Sequence, residues 1–151
     1  MEIDPHNNVV ILCDKGMEME GKGRPEEASK LFMQAWNQAT NDFEKFTAAH
    51  YVARHQNSVA GKLKWDETAL QLALQINDDT IKGAFPSLYL NIGKCYEDLN
   101  EFDNARTNYD LALSFANLLT DDGYGKMLKR GILKGLERLT KKQAEKTTLN
   151  H

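Results

Sequence analysis

The stretch YLNIGKCYEDLNEFDNARTNYDLA, residues 89–112, decides the fold. Its skeleton is Gly93, Tyr96, Ala105, Tyr109 and Ala112, and 77 residues earlier the same skeleton stands as Gly16, Met19, Ala28, Phe32 and Ala35. In each copy a Gly is followed three residues on by a large side chain and twelve on by an Ala, then by an aromatic and a second Ala at helical spacing. Gly costs about 1 kcal/mol against Ala inside a helix, so a Gly kept at both matching points implies a packing reason. Gly16, Gly93, Ala28 and Ala105 are therefore expected where two helices cross closely.

Working outward, three Ala residues anchor three helices. Ala28 leads Leu31, Phe32 and Ala35, Ala69 leads Leu72, Ala73 and Ile76, and Ala105 leads Tyr109 and Ala112. These are amphipathic stripes of helical period. An acid stands two residues before each Ala (Glu26, Glu67, Asp103), where it faces the positive end of a helix dipole. A preceding helix is expected over each of 7–21, 42–57 and 86–99, and a last helix over 121–142, with Thr120, Asp121 and Asp122 offering capping oxygens. Gly21–Arg24, Asn57–Gly61 and Asn100-Glu101 read as the turns. No segment alternates polar and apolar residues as a strand does. The chain reads as all-α.

The pattern Tyr89-x-x-Ile92-Gly93-x-x-Tyr96 followed by Ala105-x-x-x-Tyr109 resembles the helix-turn-helix unit of the tetratricopeptide repeat (TPR) family. The resemblance implies an α-solenoid of three helix pairs, about 9–42, 43–85 and 86–119, with a C-terminal capping helix at about 121–142. Residues 1–142 then form one domain and 143–151 a polar, frayed tail. The middle pair departs from the pattern: Ala28 to Ala69 spans 41 residues, Ala69 to Ala105 spans 36, and no Gly stands twelve before Ala69. The late Pro of the family is replaced by Thr40, Ile81 and Asn117.

With 41% hydrophobic and 27% charged residues, the 151-residue chain has the composition of a globular domain. A net charge of −3 and a pI near 5.8 give no electrostatic reason to expect nucleic acid or an anionic membrane. The amino terminus has neither the basic nor the apolar region of a signal peptide, and cytoplasm is the expected compartment. Cys13 and Cys95 both fall on apolar helical stretches and read as small buried residues rather than a disulfide.

Chemical motifs are scarce. The segment from Gly16 to Gly23 imitates a phosphate-binding loop, but Gly23 stands where a Ser or Thr must hold Mg²⁺ and two Glu fall inside it. An enzyme acting on a phosphate-bearing substrate through this loop is the alternative from a different functional class. His50 and His55 are five apart, a poor spacing for two metal ligands on one helix face, and Asp121-Asp122-Gly123 has too few ligands for a calcium loop. No cofactor, metal or catalytic set is expected.

The TPR resemblance implies a protein- or peptide-binding adaptor whose inner face is lined by the first helix of each pair. On the third pair that face maps to Ser87, Leu90, Lys94, Glu97 and Asp98, with Asn91 as a family-typical contact to a peptide backbone. In the middle pair Thr47, His50 and Arg54 share a face. His50, Arg54, Asn91 and Lys94, with Tyr124 from the capping helix, are expected to form a polar strip that binds an extended acidic or carboxylate-bearing segment. The carboxylate clamp of chaperone-binding relatives is absent, since Cys13 and Met17 occupy its positions. Val10, Cys13 and Met17 make the first inner face apolar, suited to a hydrophobic anchor or a neighbouring helix. The alternative within the interaction class is a homo-oligomeric structural module in which the apolar end of the first unit or the last helix packs on another copy.

Overall fold

A computed structural model describes residues 4–149. Its helices are α1 (Asn8–Gly21), α2 (Pro25–Gln38), α3 (Asp42–Ala53), α4 (Val59–Gln75), α5 (Phe85–Asp98), α6 (Phe102–Ser114) and α7 (Gly123–Leu149), with short 3-10 turns at Asp79–Ala84 and Ala116–Leu118. No strand occurs among the described residues. The fold is an all-α helical repeat, as the sequence predicts. The chain divides into two compact units at Asp79 and Thr80, where the sequence reading placed one domain over 1–142.

In the first unit α1 and α2 form a hairpin around Phe32. A Cβ added to Gly16 would lie 2.3 Å from the Phe32 ring, so the ring rests directly on the α1 backbone. The close approach at Gly16 is thus made by an aromatic side chain, with Ala28 and Ala35 fully buried beside it. Tyr51 and His55 stack on the same ring, at 5.0 and 5.6 Å between centroids. The α1–α2 turn puts Gly23 in the left-handed region at φ 72°, and Arg24 N–H donates to Met19 O at 2.9 Å. α1 remains helical through Gly21, so the Gly16–Gly23 segment is a helix end followed by a turn and forms no phosphate loop.

The second hairpin, α3–α4, is where the repeat pattern breaks. α3 was expected to reach residue 57 but ends at Ala53, because Ser58 caps a new helix by accepting Gly61 N–H at 3.0 Å. α4 therefore starts two to three turns before Ala69, and Glu67 lies inside it rather than in its first turn. Ala69 and Ala73 are still fully buried. Trp65 meets Trp36 edge-on at 5.0 Å. Buried Glu44 ties the α2–α3 turn to the start of α1, accepting from Thr40 N–H (3.1 Å), Thr40 Oγ1 (3.0 Å) and Asn7 Nδ2 (3.0 Å). The Asn7 bond leads in holding its carboxyl below the ordinary carboxylate range, against the opposing effect of burial.

The second unit repeats the first hairpin with one addition. Asn100 takes the left-handed conformation at φ 61°, and Glu101 N–H donates to Tyr96 O at 2.9 Å, matching Gly23 and Arg24 at the same 77-residue offset. Tyr109 takes the place of Phe32. A Cβ on Gly93 would lie 2.9 Å from its ring, and one on Gly135 of α7 would lie 2.6 Å from it, so two glycines on two helices hold the ring between them. α7 begins where Asp122 Oδ1 accepts Gly125 N–H at 2.9 Å, and it runs to Leu149. Residues 143–149 are thus helical where a frayed tail was expected from 143. Gln143 anchors this extension by accepting Arg106 NH2 at 2.8 Å, and the Thr147 hydroxyl returns to Gln143 O at 3.0 Å.

Substitution of either ring-bearing glycine tests this packing. Gly16→Ala and Gly135→Ala should each destabilise by about 1–3 kcal/mol through overpacking, lowering the midpoint of a thermal melt by roughly 2–12 °C. Gly21→Ala, whose Cβ meets nothing within 4 Å, should leave it unchanged or raise it. Equal midpoints for Gly16→Ala and Gly21→Ala would contradict the arrangement.

Candidate functional site

The first unit contains an apolar cleft of about 400 Å³ between α1 and α3. Val10, Cys13 and Met17 line it from α1 at i, i+3 and i+7, and Phe43, Phe46, Thr47 and His50 line it from α3 at i, i+3, i+4 and i+7. Asp14 and Tyr51 complete the lining. Burial, helped by the charge of Asp14, pushes the Cys13 thiol up to about 12, so it stays protonated and acts as an apolar wall.

His50 and Arg54 come together around Tyr51. The Arg54 guanidinium lies 5.3 Å over the Tyr51 ring, and the His50 ring lies 5.5 Å from it. His50 also stacks on Phe46, and its buried Nδ1 has no hydrogen-bond partner. Burial lowers its pKa below the ordinary histidine value. Asp66 opposes that shift, while Arg54 and Lys62 add to it. His50 is accordingly a neutral ring at neutral pH. Arg54 in turn is drawn to Glu20, at 3.3 Å, whose other oxygen holds His55 Nε2 at 2.7 Å. A ligand carboxylate at Arg54 would have to compete with Glu20.

In the second unit Asn91 is half-buried, Lys94 is exposed and paired with Asp98 at 2.9 Å, and Tyr124 is 56% exposed. Two other positions expected on the binding face are taken up internally. Leu90 packs toward α7, where a Cβ on Gly131 would be 3.4 Å from it. Glu97 is fully buried. Its Oε1 accepts Tyr109 OH at 2.7 Å and Arg138 NH2 at 3.0 Å, and its Oε2 accepts Arg138 Nε at 2.9 Å and Lys142 Nζ at 2.7 Å. Helix α7 therefore closes over the side of α5 that carries Leu90 and Glu97. The stripe Leu90, Lys94, Glu97 leaves Lys94 as its exposed member.

The five polar residues proposed from sequence thus fall in different settings, two around the α1–α3 cleft and three in the second unit. Phe43, Phe46 and Tyr51, which help build the cleft, were not among the residues expected at a binding site. Among the described residues no group of three His, Cys, Asp or Glu could hold a metal ion, and no helix is long and apolar enough to cross a membrane.

Helix hairpins that pair a Gly on one helix with an aromatic on the next define a helical-repeat protein. The tetratricopeptide repeat family model matches residues 86–117, which span α5, α6 and the 3-10 turn after them. This third hairpin is thus similar to a tetratricopeptide repeat, a family whose members are generally non-catalytic and interact with proteins. No curated protein and no solved structure matches the chain.

The Glu97 cluster makes the second unit acid-sensitive. Burial alone would raise the Glu97 pKa, but the bonds from Arg138, Lys142 and Tyr109 outweigh it and hold the carboxyl at about 2. An unfolded Glu titrates near 4.3, so the stabilisation, about 3 kcal/mol, is complete above that pH and is lost as pH falls through 2. Denaturant titrations from pH 7 to pH 2 should show this fall in the wild type and a flatter one in Glu97→Gln. Parallel curves would contradict it.

Proposed function

We propose that the chain is a non-catalytic protein-binding adaptor, and that the α1–α3 cleft receives an apolar side chain of an extended partner segment. The observation that carries this reading is the cleft itself. Two helices meet there along apolar stripes and still leave about 400 Å³ open between Met17, Phe43 and Phe46. Pockets of this kind, apolar with a few polar groups at the edge, are the usual seats of anchoring side chains. Asp14 and His50 supply polar groups to the lining, and Arg54 stands beside it over the Tyr51 ring. With His50 neutral, its contribution is a hydrogen bond rather than a charge, and Arg54 is the cation placed to meet a partner carboxylate. Asn91, Lys94 and Tyr124 are proposed as partner contacts of the second unit by itself.

Selection of peptides from a displayed library against the full chain tests this. The retained peptides should share a large apolar residue and should bind Thr47→Arg about tenfold or more weakly, a loss of at least 1.4 kcal/mol, because the new side chain fills the cleft. Arg54→Ala should weaken binding less. Peptides that bind Thr47→Arg as well as wild type would rule out the cleft as the anchor.

A further inference from the structure

Helix α7 carries eight Lys or Arg residues against two Glu, a net charge of +6, within a chain of net charge −3. The remainder of the chain therefore carries −9, and the acidic total conceals a basic helix. Two of the cations, Arg138 and Lys142, are engaged by Glu97. Lys126, Arg130, Lys134 and Lys141 instead recur at i, i+4, i+8 and i+15 along one exposed stripe, opposite the buried side formed by Leu128, Ile132 and Leu139. Lys126 reaches Asp121 only at 3.9 Å and Lys141 reaches Glu137 at 3.4 Å, with all four side chains more than half exposed. Pairs so exposed hold their partners weakly. Arg130 and Lys134 have no ion-pair partner among the described residues.

The stripe is not purely cationic. Met127 and Leu133 border it at 57% and 55% exposure. A phosphate backbone would find the cations and leave these two side chains in water. Insertion into a lipid surface would require the broad apolar side of α7, which is already buried against α5 and α6. An acidic segment with its own apolar side chains satisfies both kinds of group. We propose that the exposed face of α7 docks an acidic amphipathic segment of a partner protein, its carboxylates on Lys126, Arg130 and Lys134 and its apolar side chains on Met127 and Leu133. This surface is built from the second unit alone and does not depend on the α1–α3 cleft.

Fluorescence anisotropy of the full chain, at low and high salt, tests the assignment with three labelled probes: a synthetic amphipathic peptide of Glu, Asp and Leu, a single-stranded RNA, and phosphatidylserine vesicles. The peptide should bind best, more tightly at low salt. The triple variant Lys126→Gln/Arg130→Gln/Lys134→Gln should lose about tenfold or more and flatten the salt dependence. Met127→Ser/Leu133→Ser should lose severalfold and keep it. All these side chains are exposed, so circular dichroism melts should match wild type. The proposal is overturned by absence of peptide binding, by a triple variant that binds as wild type, by RNA or vesicles binding more tightly than the peptide, or by loss of peptide binding in Thr47→Arg.

Discussion

Both units depend on an aromatic ring laid flat against a glycine of the neighbouring helix. Phe32 rests on Gly16, and Tyr109 rests on Gly93 and Gly135, at separations no Cβ would tolerate. The cost of glycine in a helix is accepted because the ring, fully buried in each case, removes a large apolar surface from water at a point where two helices must approach. Beside the rings stand the small residues Ala28, Ala35, Ala105 and Ala112, each completely buried. The left-handed residue that closes each hairpin, Gly23 or Asn100, then brings the second helix back at the angle that aims the ring.

The difference between Phe32 and Tyr109 is one hydroxyl, and it separates the two units. Phe32 needs no polar partner and can stack with Tyr51 and His55. Tyr109 must satisfy its hydroxyl, which it does on Glu97, and a buried Glu97 must in turn be met by cations. Arg138 and Lys142 supply them from α7. The chain of requirement runs from one oxygen atom to the docking of the last helix. It also explains why the Tyr109 pKa is raised, first by burial and then by the neighbouring carboxylate.

This is also where reading from sequence reached its limit. The hairpins around Gly16 and Gly93 were legible because their spacing is local: the Gly, the aromatic and the Ala residues lie within twenty positions of one another. The α3 and α4 boundaries were not, because Ala69 marks a buried contact and not a helix start, and the Ser58 cap lies eleven residues earlier. Glu97 was placed on the open face because repeat spacing puts it there. The partners that bury it stand 41 and 45 residues further on, and no periodicity links them. The cleft was half legible. Val10, Cys13 and Met17 announced an apolar face, whereas the opening between it and the Phe43–Phe46 stripe depends on how two helices pack.

The same buried groups give the surface a constant character. Glu97 is held ionised far below neutral pH, Cys13 is held protonated far above it, and His50 is kept neutral by its surroundings. Glu97 and Cys13 do not change charge within the range a cell normally spans. The charges exposed on α7 are those of lysines and arginines. Recognition by such a surface varies with ionic strength far more than with pH. Specificity must then come from where charge and apolar side chains sit relative to each other. The two surfaces differ in this respect: the α1–α3 cleft is mostly apolar, whereas the α7 face sets a stripe of cations between Met127 and Leu133.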